Sequence, residues 1–180
     1  ERRCGLADRA TPRAAAAMNV TVPPFPLVTA PAEWDDLTLM AAVDFLEAEG
    51  EPEAGKLGVV WVAVNRAERW HQSIKEVLLK PSAFSCLNPD YFPTMGYARL
   101  TAASGLAAEA CWRAAAAGLW RLRPDPTGGA DHYLRVDATK AGRKKHDLPM
   151  WAADPSDPTT INETKVTAVI GHHHFLKLDG

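Results

Sequence analysis

Residues 46–66, LEAEGEPEAGKLGVVWVAVNR, decide how the rest of the chain is read. Gly50 is the residue type that ends a helix and Pro52 suits the first turn of the next, so the stretch predicts two helices meeting at a tight joint. Upstream, Leu39, Val43 and Leu46 recur at three- and four-residue spacing and predict a helix over 37–48. Downstream, Leu57, Val60, Trp61 and Val64 share one face of a second helix over about 52–69. Asn65, Arg66, Glu68 and Arg69 close that helix with polar groups. Three acids, Glu47, Glu49 and Glu51, crowd the joint. A carboxyl on a last helical turn faces unpaired carbonyls and the negative end of the helix dipole. Such a place favours the protonated form that a general acid needs. The plain alternative is three solvated glutamates around a turn.

Outward from the joint, a short helix is predicted over 73–79 and a third long one over 98–120, rich in alanine. Pro124, Pro126, Gly128 and Gly129 then make a turn, and 130–136 (ADHYLRV) reads as a short strand. A long loop over 137–160 carries the basic cluster Arg143-Lys144-Lys145-His146. Residues 165–178 (KVTAVIGHHHFLKL) alternate at period two around Gly171 and read as strand. Helices first and a small β region last predict an α+β class, with the active site between helical body and sheet. Residues 1–17 precede Met18, read as a leader and are set aside. Residues 18–33 form a proline-rich extended lead-in that packs through Phe25 and Leu27, and 34–180 is the catalytic domain.

The 180 residues fit one domain, and 47% hydrophobic with 23% charged residues matches a folded, water-soluble chain. Lys plus Arg minus Asp plus Glu is 20 − 22 = −2, which gives no global drive toward nucleic acid or anionic membranes. No apolar run approaches the roughly 20 residues of a spanning helix. Cys4, Cys86 and Cys111 are odd in number and irregularly spaced, so they read as reduced thiols rather than a disulfide framework. A monomer is the default expectation.

Set in order along the chain, the motifs resemble the catalytic domain of the SleB-type cell wall hydrolases, a family of spore cortex-lytic enzymes and related bacterial and phage proteins. The resemblance begins with the acidic joint running into Asn65-Arg66 and continues with Phe84-Ser85-Cys86, where Ala83 and Leu87 replace the family's Gln and Trp. It extends through Asp125-Pro126-Thr127-Gly128-Gly129-Ala130-Asp131-His132-Tyr133, in which Asp131 stands for a threonine. Pro149-Met150-Trp151-Ala152 and Ile170-Gly171-His172-His173-His174-Phe175 complete it. The resemblance implies a mainly helical, lysozyme-like domain that cuts the glycan strand of peptidoglycan without a cofactor. It places the essential acid at Glu47 and implies lytic transglycosylation between N-acetylmuramic acid and N-acetylglucosamine. There the muramyl 6-hydroxyl is the nucleophile, so one glutamate suffices.

A hydrolytic muramidase would want a second acid, for which Glu51 is the candidate; its alternative is a charge at the start of the next helix. Tyr91, Phe92, Tyr133 and Trp151 are candidates to stack on sugar rings, with Thr127, Gly128, Gly129 and His132 as polar or close-approach partners. Core packing is the competing role for each aromatic, and for Trp61 and Trp112 the preferred one. A zinc site built on His132, His172, His173 and His174 is disfavoured because the run is not HExxH and adjacent strand residues face opposite ways. A Cys86–His132–Asp131 peptidase is disfavoured because Cys86 falls in the family's own motif. The basic cluster reads as solvated, or as a wall-steering patch. The absence of an export signal suggests a phage endolysin, held in the host cytoplasm until a holin admits it to the periplasm and wall. A wall-binding virion module without catalysis is the alternative of a different class.

Overall fold

The computed structural model describes residues 23–141 and 147–178. The leader, part of the lead-in and the basic cluster over 143–146 lie outside the described residues. Helix α1 (Asp36–Ala48) opens on Asp35, whose carboxylate accepts the Thr38 N–H at 2.7 Å. Its side chains from Leu39 to Leu46 are buried on every side, so α1 runs through the middle of the body. Helix α2 (Glu53–Trp70) follows Pro52 and ends on His71 in the left-handed region, close to the expected bounds. Helix α3 (Ile74–Leu79) carries a reciprocal cap in which Ser73 and Glu76 satisfy each other's backbone N–H groups.

The long helix expected over 98–120 is two helices. A π turn at Phe92–Gly96 runs into α4 (Tyr97–Ala102), the chain extends at Ala103 and Ser104, and α5 (Gly105–Leu119) starts anew. Gly105 sits at φ +65°, which an L side chain resists, so alanine propensity on both sides cannot carry one helix through. Helix α5 lies against α1 and α2, and Gly118 meets Val60 so closely that a Cβ there would collide with it. The lead-in joins this core: Phe25 is buried, stacking on Trp112 at 5.5 Å between centroids and tilting toward Phe45 at 6.1 Å. Trp61 and Trp112 are buried, as expected of core residues.

The strand expected over 130–136 is shorter, β1 (His132–Leu134), because Val136 already begins helix α6 (Val136–Ala141) inside what read as a loop. The strand expected over 165–178 folds on itself. Gly171, at φ +59°, and His172 turn β2 (Val166–Ile170) back into β3 (His173–Leu176). The sheet is antiparallel in the order β1-β3-β2, pairing Tyr133 with Phe175 and Ile170 with His173, with an irregularity between Val166 and Ala168. It docks on α2 through Phe175, which is fully buried against Val62 and Ala130. Only glycine fits opposite that ring, since a Cβ on Gly58 would sit 2.6 Å from it. The chain is therefore α+β, mainly helical, with a three-stranded sheet near the C-terminus.

Candidate active site

Glu47 is the half-buried residue in a run of buried ones, on the last turn of α1. Its Oε1 accepts the Cys86 backbone N–H at 3.3 Å. Tyr133 lines the same hollow and feels the Glu47 charge, so the Phe84-Ser85-Cys86 loop and β1 converge on one carboxyl. Burial, then the Glu47 charge, pushes the Tyr133 phenol well above its ordinary range, so Tyr133 remains a neutral donor toward Glu47. Arg66, on α2, is buried and donates to the Asp131 carbonyl at 2.5 Å and the Ala83 carbonyl at 2.9 Å. Burial lowers its pKa, opposed by its neighbours Tyr133 and Glu47, and the guanidinium is a fixed positive charge beside the acid.

The end of α1 is not the bare negative pole that the sequence suggests. Lys56, almost wholly buried, points its ammonium at the carbonyls of Ala48, Glu49 and Glu51 at 2.7, 2.7 and 2.6 Å. Arg99 donates to the Leu46 carbonyl at 2.7 Å and the Phe45 carbonyl at 3.4 Å, and pairs with Glu49 at 3.2 Å. Two cations thus occupy the carbonyls a helix end leaves orphaned. Nothing in the sequence pattern singled out either one, because Lys56 sits on a helix whose apolar stripe says nothing about a charged neighbour on the buried side.

Glu47 stands where two cavities meet. The larger, about 650 Å³, is lined by the buried Arg66 and Phe84 and by Tyr133, Trp70, Lys80, His132 and Trp151. Among the described residues, Glu47 is the single carboxylate that lines it. The smaller, about 290 Å³, holds Glu49, Glu51, Arg99, Arg135 and His172 around the same Glu47. The cleft is open and bears aromatic faces beside donors and acceptors, a surface suited to a chain of sugar rings. His132 and Trp151 pack at 4.9 Å between ring centroids on one wall.

His132 is wired from behind. Its Nδ1 lies 2.8 Å from Asp131 Oδ1, and the other Asp131 oxygen pairs with Arg69. The carboxylate would favour a charged imidazole, but burial, Arg66 and Arg69 prevail and lower its pKa to about 4. A neutral ring with its proton on Nδ1, donated to Asp131, satisfies both influences and leaves Nε2 as an acceptor. His173 is also buried and held below its ordinary range, mainly by burial.

Of the residues singled out by sequence, Glu47, His132, Tyr133 and Trp151 come together at the large cavity. Glu51 lies at the small one, tied down: its oxygens accept the His172 N–H at 2.9 Å and face the His172 ring Nδ1 at 3.0 Å. Thr127 does not reach the cleft. It is fully buried, bonded through Oγ1 to Asp125 at 2.7 Å and accepting the Ala130 N–H at 3.2 Å. Gly128 and Gly129, at φ +69° and +85°, shape that turn; Gly128 packs on Thr167, and Gly129 opens onto a separate hollow with Asp131 and Lys177. Tyr91 lines neither cavity, its hydroxyl 3.5 Å from Arg99, and Phe92 is buried against Trp34 and Tyr97. Arg66, Trp70, Lys80, Phe84 and Arg135 are cleft residues that sequence reasoning passed over. Asn65-Arg66 at the end of the acidic-joint motif was the available signal for the first of them.

Cys86 and Cys111 are both free and buried. Burial and then the Glu47 charge push the Cys86 thiol well up, the reverse of what a nucleophilic thiolate needs. Among the described residues, no three His, Cys, Asp or Glu side chains gather where a metal ion could be held.

The family model of the cell wall hydrolases matches residues 50–176, well over half of the chain. The chain belongs to the cell wall hydrolase family. The match starts just after Glu47, so the acid itself is placed by the geometry above. Among solved structures, the catalytic domain of the Bacillus cereus SleB protein superposes with a TM-score of 0.51 at 22% identity, covering 79% of this chain and 89% of that one. That likeness is one of fold. No curated protein matches the sequence. No helix among the described residues of this cell wall hydrolase is long and apolar enough to cross a membrane.

Proposed function

We propose that this cell wall hydrolase cleaves the glycan strand of peptidoglycan between N-acetylmuramic acid and N-acetylglucosamine by lytic transglycosylation, with Glu47 as the one acid and base. The observation that carries the reading is that Glu47 is the single carboxylate on the large cavity among the described residues, while both oxygens of Glu51 are engaged by His172. Protonated Glu47 gives its proton to the glycosidic oxygen, and the bond to the muramyl anomeric carbon breaks. The carboxylate then takes the proton of the muramyl 6-hydroxyl as that oxygen closes on the same carbon, giving a 1,6-anhydro ring. Atoms balance with no water consumed. Neutral Tyr133 and the Cys86 N–H steady the carboxylate through both transfers, and Arg66 offsets its charge after the first. Trp151 and His132 would support a sugar ring on the wall, with His132 Nε2 accepting from a hydroxyl or acetamido N–H.

The second reading, a hydrolytic muramidase, draws support from Glu51 lining the small cavity together with Glu47. Mass spectrometry of fragments released from purified peptidoglycan separates the two. Anhydro-muropeptides support transglycosylation; reducing-end muramic products, heavier by one water, contradict it and favour the muramidase. We further propose the setting of phage-driven host lysis, released to the wall by a holin. Co-expression in a host with and without a holin tests it, and lysis independent of the holin counts against it.

A further inference from the structure

The small cavity beside Glu47 contains a charge that the reaction above does not use. Of its carboxylates, Glu49 is paired with Arg99 at 3.2 Å and Glu51 with His172 at 3.0 Å. Of its cations, Arg99 is spent on α1 carbonyls and Glu49. Arg135, the first residue after β1, is exposed; its carbonyl accepts the Thr139 N–H at 2.9 Å, but its guanidinium makes no hydrogen bond or ion pair among the described residues. It is close enough to His173 for its charge to help keep that ring neutral, so its positive field falls on the Glu47 side of the sheet. An unpaired guanidinium at the edge of a polar cavity, next to the acid, is a ready fork for a planar anion.

We propose that Arg135 is a specificity-determining residue that binds a carboxylate on the arm carried by the muramyl sugar at the scissile bond. The assignment rests on the glycan-strand reading, which supplies the anion: a muramyl ring with an open lactyl group at O3 carries it either free as a carboxylate or extended by a peptide that itself ends in carboxylates. With the glycosidic bond at Glu47 and the large cavity taking the sugar chain, the small cavity is the place for that arm. Glu49 is already paired with Arg99 and the Glu51 oxygens are turned to His172, so neither competes for the Arg135 fork.

The test is binding as well as cleavage. Affinities of the Glu47→Gln protein, with and without Arg135→Gln, are measured by calorimetry for three soluble strands: peptide-bearing, peptide-stripped with free lactyl carboxylates, and stripped with those carboxylates capped as amides. Cleavage of the same strands is followed with Glu47 intact. The expected result is that a carboxylate-bearing strand binds roughly tenfold tighter than the capped one, the size of one charge-assisted contact at a half-open site, and that Arg135→Gln brings the ratio near one. Arg135→Lys should restore part of it, and added salt should shrink it. Arg113→Gln, on the outer side of α5 and exposed, should keep the wild-type ratio. A preference already present on the stripped strand makes the lactyl carboxylate the ligand; one seen only on the peptide-bearing strand makes it the stem. Equal affinity for all three strands, or an equal loss on all three in Arg135→Gln, overturns the proposal. Discrimination without cleavage by the Glu47-intact protein would leave Arg135 standing and sink the glycosidase reading instead. No binding to any strand sinks both.

Discussion

At Glu51, burial and hydrogen bonding pull in opposite directions. Burial raises the carboxyl, but the His172 N–H, the His172 ring and the nearby His173 outweigh it and hold the pKa below its ordinary range. Gly171 makes this possible, because a Cβ there would strike the Glu51 carboxylate and its φ of +59° suits glycine. Glu51 is thus a strut between the α1–α2 joint and the β2–β3 turn. Glu51→Gln is expected to cost about 1–3 kcal/mol of stability at pH 7, measured by urea denaturation, while fragment release persists. Loss of release with stability intact would instead make Glu51 a chemical participant. Asp44, on α1, has the opposite balance. It is fully buried, its oxygens lack partners at hydrogen-bond geometry, and burial raises its pKa well above the ordinary value despite the approach of the Cys111 thiol and the Lys56 charge. The folded state therefore keeps the Asp44 proton where the unfolded chain releases it. Its contribution is full below about pH 4 and erodes as pH rises. Asp44→Asn, which cannot titrate, should gain stability relative to wild type as pH climbs from 4 to 7; a difference constant with pH would contradict a protonated Asp44.

At the scale of elements, the last turn of α1 depends on cations from elsewhere. Lys56→Met leaves the Ala48, Glu49 and Glu51 carbonyls without their ammonium, and is expected to cost about 3 kcal/mol or more in chemical denaturation. Because Glu47 rides on that turn, kcat should fall more than KM rises. A variant that loses stability but keeps kcat would separate the cap from the chemistry. The sheet-to-helix contact is as tight: Gly58→Ala puts a methyl 2.6 Å from the Phe175 ring and should destabilise by about 1–3 kcal/mol. A neutral result in thermal unfolding would mean that the ring can shift. These elements differ in how far the sequence betrays them. Helices α1 and α2 were legible because an apolar stripe and the Gly50–Pro52 punctuation agree. The break at Gly105 was not, since alanine propensity is a local preference and a positive φ is a property of the folded path. The β2–β3 hairpin was hidden because period-two alternation is the same on both sides of Gly171 whether the chain continues or returns. Helix α6 was too short to show periodicity.

For the molecule as a whole, the neutral imidazoles of His132 and His173 and the engaged Glu51 set the response to acid against the opposing Asp44. His132 titrates near 4 in the fold against about 6.5 unfolded, so its contribution is full above about pH 6.5 and is lost as pH falls toward 4, by up to about 3 kcal/mol. His173 and Glu51, both lowered, act in the same direction. Asp44 acts the other way over the same range, so the contribution of His132 is read as a difference: between pH 6.5 and 4 the wild type should lose stability relative to His132→Gln, and a difference constant with pH would assign the acid response to other groups. The site is similarly divided in what sequence could reveal. Glu47, His132, Tyr133 and Trp151, which the motifs single out, do share one cavity. Thr127 and the two glycines share the His132 motif yet turn away from the cleft, because neighbours in sequence need not share a surface. Arg135 acquires meaning only once the charges around it are seen to be paired off. The central claim, that one carboxyl at the meeting of two cavities does the chemistry, is met most directly by comparing wild type with Glu47→Gln on purified peptidoglycan. The account predicts soluble fragments from the wild type and a loss of at least a thousandfold in the variant, with its fold intact by circular dichroism. Fragments released at a comparable rate by the folded variant would contradict it and move the catalytic centre away from Glu47.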